Sequence, residues 1–279
     1  MSAWCPEGVG PNTPGVEVPG SLLARPSVNL HVMQRKWLLI LLLAPLVAAP
    51  AASAESTPPG PGQTTRLSNE TTRSHWAYVG TRVWARQAPR KGARRIKRLL
   101  TYVRGTGSPE LVLALRERRL ADGDLWVQVR LPMRPNNRTG WVPRESLERL
   151  RLVRTQLVIH TARMRATLYR GGRRVWTARV GVGTRRWPTP RGRFYLRERL
   201  AIPRGREREL YGPFALGTSA LSATLSGGNW GEGVVGVHGT GHPELIPGRI
   251  SHGCVRVRNS RIRRLWRLAP LGTPVRISR

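Results

Sequence analysis

The chain has 279 residues, of which 39% are hydrophobic and 23% charged, which is the composition of an ordinary globular protein with one or two domains rather than of a disordered or fibrous chain. Its formal net charge at pH 7 is +33, and almost all of the positive charge is arginine. Two explanations of this charge remain open. One is an arginine-rich codon usage with the side chains spread over solvated surfaces, and the other is affinity for a polyanion such as nucleic acid, anionic lipid or an anionic cell wall.

The first 54 residues are predicted to be an upstream extension followed by a signal peptide. Residues 33–36 form a short basic region, and residues 37–49 form a nearly unbroken apolar run of 13 residues. Ala52 and Ala54 then fit a small-x-small cleavage site, so we expect cleavage before Glu55.

This leader predicts export and decides which partners the protein meets. The apolar run is shorter than the ~20 residues that a spanning helix needs, so an uncleaved anchor is the weaker alternative. Residues 1–32 resemble neither a signal nor a domain, and we expect that they reflect a misassigned upstream start codon. Export limits contact with the membrane to the secretion step and excludes nucleic acid as a partner.

The middle of the chain is predicted to be a flexible linker followed by a small β domain. Residues 55–74 are rich in Ser, Thr, Pro and Gly, which is typical of a tether. Residues 75–150 contain several short strand patterns separated by turn residues, which favours a small barrel. The predicted elements are strands at 78–85, 111–115, 125–129 and 139–142 and a brief helical turn at 146–150.

One part of this domain resembles a known module. The segment 125–142, with Trp126 and a Gly-Trp-Val ending, is similar to bacterial SH3-like domains. Such domains bind wall peptides or act as spacers. Trp84, Trp126 and Trp141 are expected in the core rather than on a ligand platform.

Residues 155–279 are predicted to form a second, mainly β domain with one helix near its C-terminus. The helix spans 259–268, because its apolar positions follow a 3.6-residue period and Asn259 or Ser260 could cap it. The predicted strands lie at 156–161, 164–169, 175–180, after the turn at 189–192, and at 211–216, 234–238 and 273–277.

The candidate chemistry centres on Cys254, the only cysteine after the predicted cleavage site. A buried structural thiol is the alternative interpretation, but neighbouring imidazoles favour a reactive one. Gly253 lets the backbone approach a substrate, so that nearby amides could stabilise an oxyanion. His238 ends a predicted strand and could take the thiol proton and return it to a leaving amine. Arg256 could hold a substrate carboxylate by paired hydrogen bonds.

A zinc site is the rival interpretation of the same residues. His238, His242, His252 and Cys254 are four possible ligands. The glycines and the proline around His242 make a helix through the first two histidines improbable, so these side chains need not share a face. We therefore predict neither a metal nor another cofactor, and we expect His242 to be a loop residue.

These motifs resemble the signature of the L,D-transpeptidase catalytic domain family. The resemblance rests on a His-Gly-Thr segment, a ten-residue loop and a Ser-His-Gly-Cys-Val-Arg segment, and the Thr-Pro-x-Gly-x-Phe run at 189–194 agrees with it. It covers about residues 155–279 and implies a mainly β catalytic domain. Carried onto this sequence, it implies Cys254 as nucleophile, His238 as proton donor and acceptor, Ser251, His252 and Gly253 as residues that shape the site, and Arg256, Gly239 and Thr240 as substrate contacts. Ser251 and the Gly239 carbonyl are both candidates for orienting His238, because this chain has Gly239 where some members have serine.

The resemblance also implies a function in cell wall biogenesis. In that family the cysteine attacks the third residue of a peptidoglycan stem peptide, expels the terminal D-alanine, and passes the acyl group to the amine of another stem as a 3→3 cross-link. Two alternatives remain open at this point. With water as acceptor the protein is an L,D-carboxypeptidase, and with an unreactive cysteine it is an inactive wall-binding protein. Stem peptides and the anionic wall are the expected partners, and the extracytoplasmic space is the expected location.

Overall fold

The computed structural model describes residues 60–225, 227 and 232–279. The predicted signal peptide and the beginning of the predicted linker lie outside these residues. The described part of the chain contains two β-sheets and two α-helices, so the prediction of a mainly β fold is confirmed. Within the same part, no helix combines the length and the apolar character needed to cross a membrane.

The first sheet, here the N-terminal sheet, has eight antiparallel strands with the order β4-β3-β7-β6-β5-β2-β8, and β1 pairs with β5 outside this path. Alternating apolar residues of these strands point inward to a core that includes Val112, Ala114, Val127 and Val129, all fully buried. The strands are β1 (Thr64–Arg66), β2 (Ser74–Tyr78), β3 (Val83–Arg86), β4 (Arg95–Leu99), β5 (Leu111–Arg119), β6 (Leu125–Arg130), β7 (Thr139–Pro143) and β8 (Arg151–Val153).

Two predictions for this region are wrong. Part of the predicted linker at 55–74 is ordered, because β1 pairs with β5 and the Ser68 hydroxyl bonds to the buried Ala114 carbonyl. The Asn69 side chain closes the following turn by accepting hydrogen bonds from three backbone N–H groups. The strand predicted at 78–85 is two strands separated by a turn, and this leaves Trp84 36% exposed rather than in the core.

The second sheet, here the C-terminal sheet, has ten strands with the order β11-β10-β9-β18-β13-β14-β15-β17-β12-β16. Most pairs are antiparallel, but β9 with β18, β15 with β17 and β12 with β16 are parallel. The strands are β9 (Thr155–His160), β10 (Arg165–Arg170), β11 (Arg173–Arg179), β12 (Gly181–Gly183), β13 (Gly192–Ala201), β14 (Phe214–Leu221), β15 (Val234–His238), β16 (Gly248–Ser251), β17 (Val255–Arg256) and β18 (Pro274–Ser278).

The helices are α1 (Arg206–Tyr211) and α2 (Asn259–Leu268). The bounds of α2 match the prediction, and its apolar stripe buries Ile262 and Leu265 completely. Helix α1 occupies the start of the strand predicted at 211–216. Glutamates in its first turn favour this short helix by complementing its positive end. Gly212 then ends the helix with a positive φ of 65°, and the strand begins only at Phe214.

The two sheets share a buried contact between β5 and β13. The Tyr195 hydroxyl donates a hydrogen bond to the Leu111 carbonyl at 3.1 Å, within an apolar cluster that includes Trp76. Beside it, Arg197 makes a bidentate ion pair with Glu110, and both side chains are 4% exposed. Arg197 Nη1 makes no hydrogen bond with the described residues and lies 3.8 Å from the Glu232 carboxylate, so the two hydrogen bonds to Glu110 offset only part of the cost of burying the charges.

Candidate active site

Strand pairing brings the predicted nucleophile and base together. Strands β15 and β17 run parallel, with Val237 beside Val255 and His238 beside Arg256. Cys254 immediately precedes β17 and therefore lies close to the end of β15. The side chains of Cys254, His238 and Arg256 line one cavity together with Ser251 and His252. The C-terminal sheet thus assembles most of the predicted site residues at one place.

The thiol of Cys254 is buried, with the residue 1% exposed. The backbone N–H of Gly236, in the adjacent strand β15, donates to its Sγ at 3.4 Å. This N–H directs its positive end at the sulfur, where it can stabilise negative charge on Sγ. Gly253 has a φ of 122°, a backbone conformation that residues with a Cβ rarely adopt. Glycine is thus required before the cysteine for its conformation, and not only for close approach of a substrate.

Two hydroxyl groups hold the turn around the cysteine. Ser251 Oγ donates to the Cys254 carbonyl at 2.5 Å and accepts from the Gly253 N–H at 3.2 Å. Thr189 Oγ1 donates to the Gly253 carbonyl at 2.9 Å and accepts from the Gly183 N–H at 2.9 Å. The turn is therefore fixed from both sides, and the Gly253 N–H is used within the turn and not directed at a substrate.

The imidazole of His238 is buried and is oriented by the backbone. Its Nδ1 lies 2.6 Å from the Gly239 carbonyl oxygen. Because a carbonyl only accepts, Nδ1 carries the proton and Nε2 keeps the lone pair that a general base needs. Burial lowers the pKa of His238 to about 4, against smaller opposing effects of hydrogen bonds with the Gly239 and Tyr211 backbones. The imidazole is therefore neutral at pH 7. Of the two orienting groups left open by the sequence, the Gly239 carbonyl makes this contact.

Helix α1 covers the cavity. The Tyr211 ring meets the His238 ring edge to face, with centroids 5.1 Å apart, and Leu210 lines the cavity beside it. The remaining volume is about 10 Å³, which is at the lower limit for a single water molecule. Leu210 and Tyr211 therefore limit the space next to Cys254. No residue of α1 is buried, and no side chain caps its N-terminus.

The remaining predicted residues lie either at the cavity, as His252 and Arg256 do, or in the loop after β15, as Thr240 does. His252 lies at the cavity, its ring centroid is 4.1 Å from that of Trp187, and burial lowers its pKa. Arg256 is 5% exposed and also lines the cavity. Thr240 is buried, and its Oγ1 accepts from the His242 N–H at 3.1 Å, so its side chain stabilises the loop after β15.

The structure separates His242 from the other histidines. Its side chain is 60% exposed and lies 3.3 Å from the Glu244 carboxylate. Among residues 60–225, 227 and 232–279, no three His, Cys, Asp or Glu side chains are placed to hold a metal ion. The geometry thus gives no support to the rival zinc interpretation.

Sequence reasoning missed four residues that build the site. Asn259, considered only as a helix cap, accepts a hydrogen bond from the Thr240 N–H at 3.0 Å and makes no capping bond. Thr189 entered only through a turn and the motif at 189–194, Tyr211 entered only as the start of a predicted strand, and Trp187 carried no signal. Their contacts are with residues distant in sequence, which neither spacing nor periodicity reveals.

Residues 154–277 match the family model YkuD, described as the L,D-transpeptidase catalytic domain. Two curated proteins named "Putative L,D-transpeptidase YkuD" are each 33% identical to this chain, one from Bacillus licheniformis over 111 residues and one from Bacillus subtilis over 113 residues. Each alignment covers 40% of this chain and 58% or 59% of the relative, so the chain spans less than two thirds of these relatives' length.

A solved structure is also similar. The catalytic domain from Enterococcus faecium L,D-transpeptidase is 20% identical over 44% of this chain and 96% of that domain, with a TM-score of 0.33.

Proposed function

We propose that the protein is a cysteine acyltransferase that joins peptidoglycan stem peptides by 3→3 cross-links, and the match of residues 154–277 to the L,D-transpeptidase catalytic domain model supports this proposal. The observation that carries the proposal is the convergence of Cys254 and His238 in one buried cavity, with the Gly236 N–H on the sulfur and the Gly239 carbonyl on Nδ1. A polarised thiol and a neutral, oriented imidazole are the two groups that covalent acyl transfer needs.

In the first half-reaction the thiol of Cys254 gives its proton to Nε2 of His238. The sulfur attacks the carbonyl carbon of the third, diamino-acid residue of the donor stem. The tetrahedral intermediate collapses when the bond to the terminal D-alanine breaks, and His238 returns the proton to the leaving amine. The product is a thioester on Cys254 and free D-alanine. Arg256, buried at the cavity wall, is the proposed contact for a substrate carboxylate.

In the second half-reaction the side-chain amine of an acceptor stem attacks the thioester. His238 takes the proton of the amine, the new amide forms, and the sulfur leaves and is reprotonated. Water in place of the amine gives a shortened stem, so L,D-carboxypeptidase activity is the second candidate. Its acylation step uses the same residues, and only the acceptor differs.

The rest of the chain suits work outside the cell. We propose that the signal peptide at 33–54 directs export, that residues 75–150 act as an SH3-like module beside a catalytic domain at 155–279, and that the net charge of +33 favours an anionic wall. Each of these proposals rests on sequence, and the buried contact between the two sheets is compatible with a module held rigidly against the catalytic domain.

Product analysis tests the function. The purified protein is incubated with tetrapeptide-stem wall fragments, and the products are identified by mass spectrometry. Cross-linked dimers with loss of one D-alanine support transpeptidation. Tripeptide stems without dimers support the carboxypeptidase alternative. Unchanged fragments, in a sample whose fold is intact, support the inactive wall-binding alternative and contradict the proposal.

A further inference from the structure

The peptide unit between Gly239 and Thr240 connects the histidine to a side chain outside the cavity. Its carbonyl oxygen accepts from His238 Nδ1 at 2.6 Å, and its N–H donates to Asn259 Oδ1 at 3.0 Å. A trans peptide is a rigid plane with its C=O and N–H on opposite sides. Fixing the N–H therefore fixes the direction of the carbonyl that orients the imidazole.

Asn259 is well placed to hold this plane. It is the first residue of α2, and the helix is anchored by the fully buried Ile262 and Leu265. The backbone of the loop itself contains Gly239 and Gly241, which impose little conformational restriction. The Gly239 N–H donates to the Phe214 carbonyl of β14 at 3.3 Å, and the Asn259 side chain holds the next peptide unit from the side of α2.

Two glycines make room for the Asn259 carboxamide. A Cβ on Gly239 would lie 2.3 Å from Asn259 Oδ1, and a Cβ on Gly212 would lie at the same distance from it. Both contacts are far below van der Waals separation, so neither position accepts a side chain while Asn259 keeps its place. Gly239 thus serves a purpose in this chain that a serine could not serve without displacing Asn259.

We propose that Asn259 is a positioning residue for the acyl transfer: it clamps the Gly239–Thr240 peptide so that the Gly239 carbonyl holds the proton on Nδ1 of His238 and leaves Nε2 available to Cys254. This role rests on the proposed function. Asn259 does not line the cavity and acts only through the peptide and the imidazole.

The test compares three variants of the full chain. Asn259→Leu keeps a similar side-chain shape but removes the acceptor. Asn259→Asp keeps an acceptor oxygen. Asn136→Leu is the matched control, because Asn136 also bonds the backbone through its carboxamide, at Leu221 and outside the cavity. Each variant is examined by ¹⁵N NMR of labelled histidine, which reports the protonated ring nitrogen, and by the single-turnover rate of acylation by a carbapenem.

The proposal predicts a His238 signal protonated at Nδ1 in the wild type, in Asn259→Asp and in Asn136→Leu. In Asn259→Leu we expect a mixture of tautomers and an acylation rate lower by roughly 10- to 100-fold, the scale of a misplaced catalytic group. An unchanged tautomer in Asn259→Leu overturns the proposal, whether or not the rate falls, because a merely structural role would slow acylation without moving the proton. If the wild type itself is not acylated, the proposed function fails, while the tautomer comparison still decides the role of Asn259.

Discussion

The hydroxyl of Thr189 donates a hydrogen bond to the carbonyl of Gly253 at 2.9 Å. The same oxygen accepts from the Gly183 N–H, so one side chain joins β12 to the turn that carries the nucleophile. Gly253 needs this support because its φ of 122° lies outside the region that most residues adopt. The position of Cys254 therefore depends on a hydroxyl 65 residues earlier in the chain.

Replacing Thr189 with valine should lower both stability and reactivity. Valine keeps the shape but leaves the Gly253 carbonyl and the Gly183 N–H buried without a partner, at a cost of about 1–3 kcal/mol in the free energy of unfolding. Urea unfolding measures this loss, and acylation by a carbapenem should slow in parallel. Thr81→Val, at an exposed position, is the control and should change neither. Equal stability of the two variants would contradict the supporting role of Thr189.

The two histidines near the nucleophile should differ strongly in their effects. His238→Ala should reduce the acylation rate by about 10²–10⁴-fold, the usual scale for loss of a general base. His242→Ala should change it little, because its side chain is 60% exposed and lies against the Glu244 carboxylate. Single-turnover rates decide between them. If His242→Ala lost most of its acylation rate while His238→Ala kept it, His242 and not His238 would be the general base.

Burial of neutral His238 should also make stability depend on pH. Well above pH 6.5 the imidazole is neutral in both the folded and the unfolded state, so a change of pH in that range does not alter its contribution to the free energy of unfolding. As the pH falls from 6.5 towards 4, the unfolded state takes up a proton that the folded state does not, and the free energy of unfolding decreases. The total effect is about 3 kcal/mol, from roughly 1.4 kcal/mol per pKa unit.

The comparison that isolates this effect is urea unfolding of the wild type and His238→Gln between pH 4 and 7.5. The difference in unfolding free energy between the two proteins should shrink or reverse towards pH 4, because glutamine does not titrate. A difference that is constant across this range would show that His238 is not buried in its neutral form.

Removing the Tyr211 side chain should expose the nucleophile. Tyr211 covers a cavity of about 10 Å³ in which Cys254 is only 1% exposed. We expect Tyr211→Ala to react several-fold faster with a small aromatic disulfide, because the reagent reaches Sγ more often. The measurement is made in a Cys5→Ser background, so that only one thiol reports. Tyr102→Ala, at a half-exposed position, is the control. A rate equal to that of the control would mean that Tyr211 does not limit access.

The buried ion pair between the sheets makes a separate prediction about stability. Arg197→Met leaves the Glu110 carboxylate buried and without its partner, which should cost about 3–5 kcal/mol. The double variant Arg197→Met with Glu110→Leu removes both charges and should be more stable than the single one. Urea unfolding of the single and double variants gives the coupling energy. A double variant less stable than Arg197→Met would show that the charge of Glu110 is not what the arginine compensates.

The sequence predicted those features that depend on local patterns of residue types. Helix α2 and strand β15 follow their patterns residue by residue, because one apolar stripe and one apolar run meet the core. Cys254 and His238 were found because a motif of residue types carries their chemistry. Their proximity is a property of the parallel pairing of β15 with β17, and the sequence shows it only through the family resemblance.

The features that escaped prediction depend on contacts across the fold. An asparagine at the start of a helix is typical of an N-cap, so the sequence predicts a capping role for Asn259. In the structure its side chain instead accepts a hydrogen bond from the Thr240 N–H in the neighbouring loop. The ordering of residues from 60 onward depends on pairing of β1 with β5. The short helix α1 competes with a strand pattern, and the choice is made by its acidic first turn and by Gly212. Local sequence does not contain the partners that decide these cases.

Intact-protein mass spectrometry after incubation with a carbapenem tests most directly whether Cys254 is the nucleophile. In the Cys5→Ser background, the account predicts one covalent adduct of the wild-type site, mapped to Cys254 by peptide analysis. Cys254→Ala and Cys254→Ser in the same background should form none while keeping the wild-type fold by circular dichroism. An adduct of equal yield on Cys254→Ala would contradict the account.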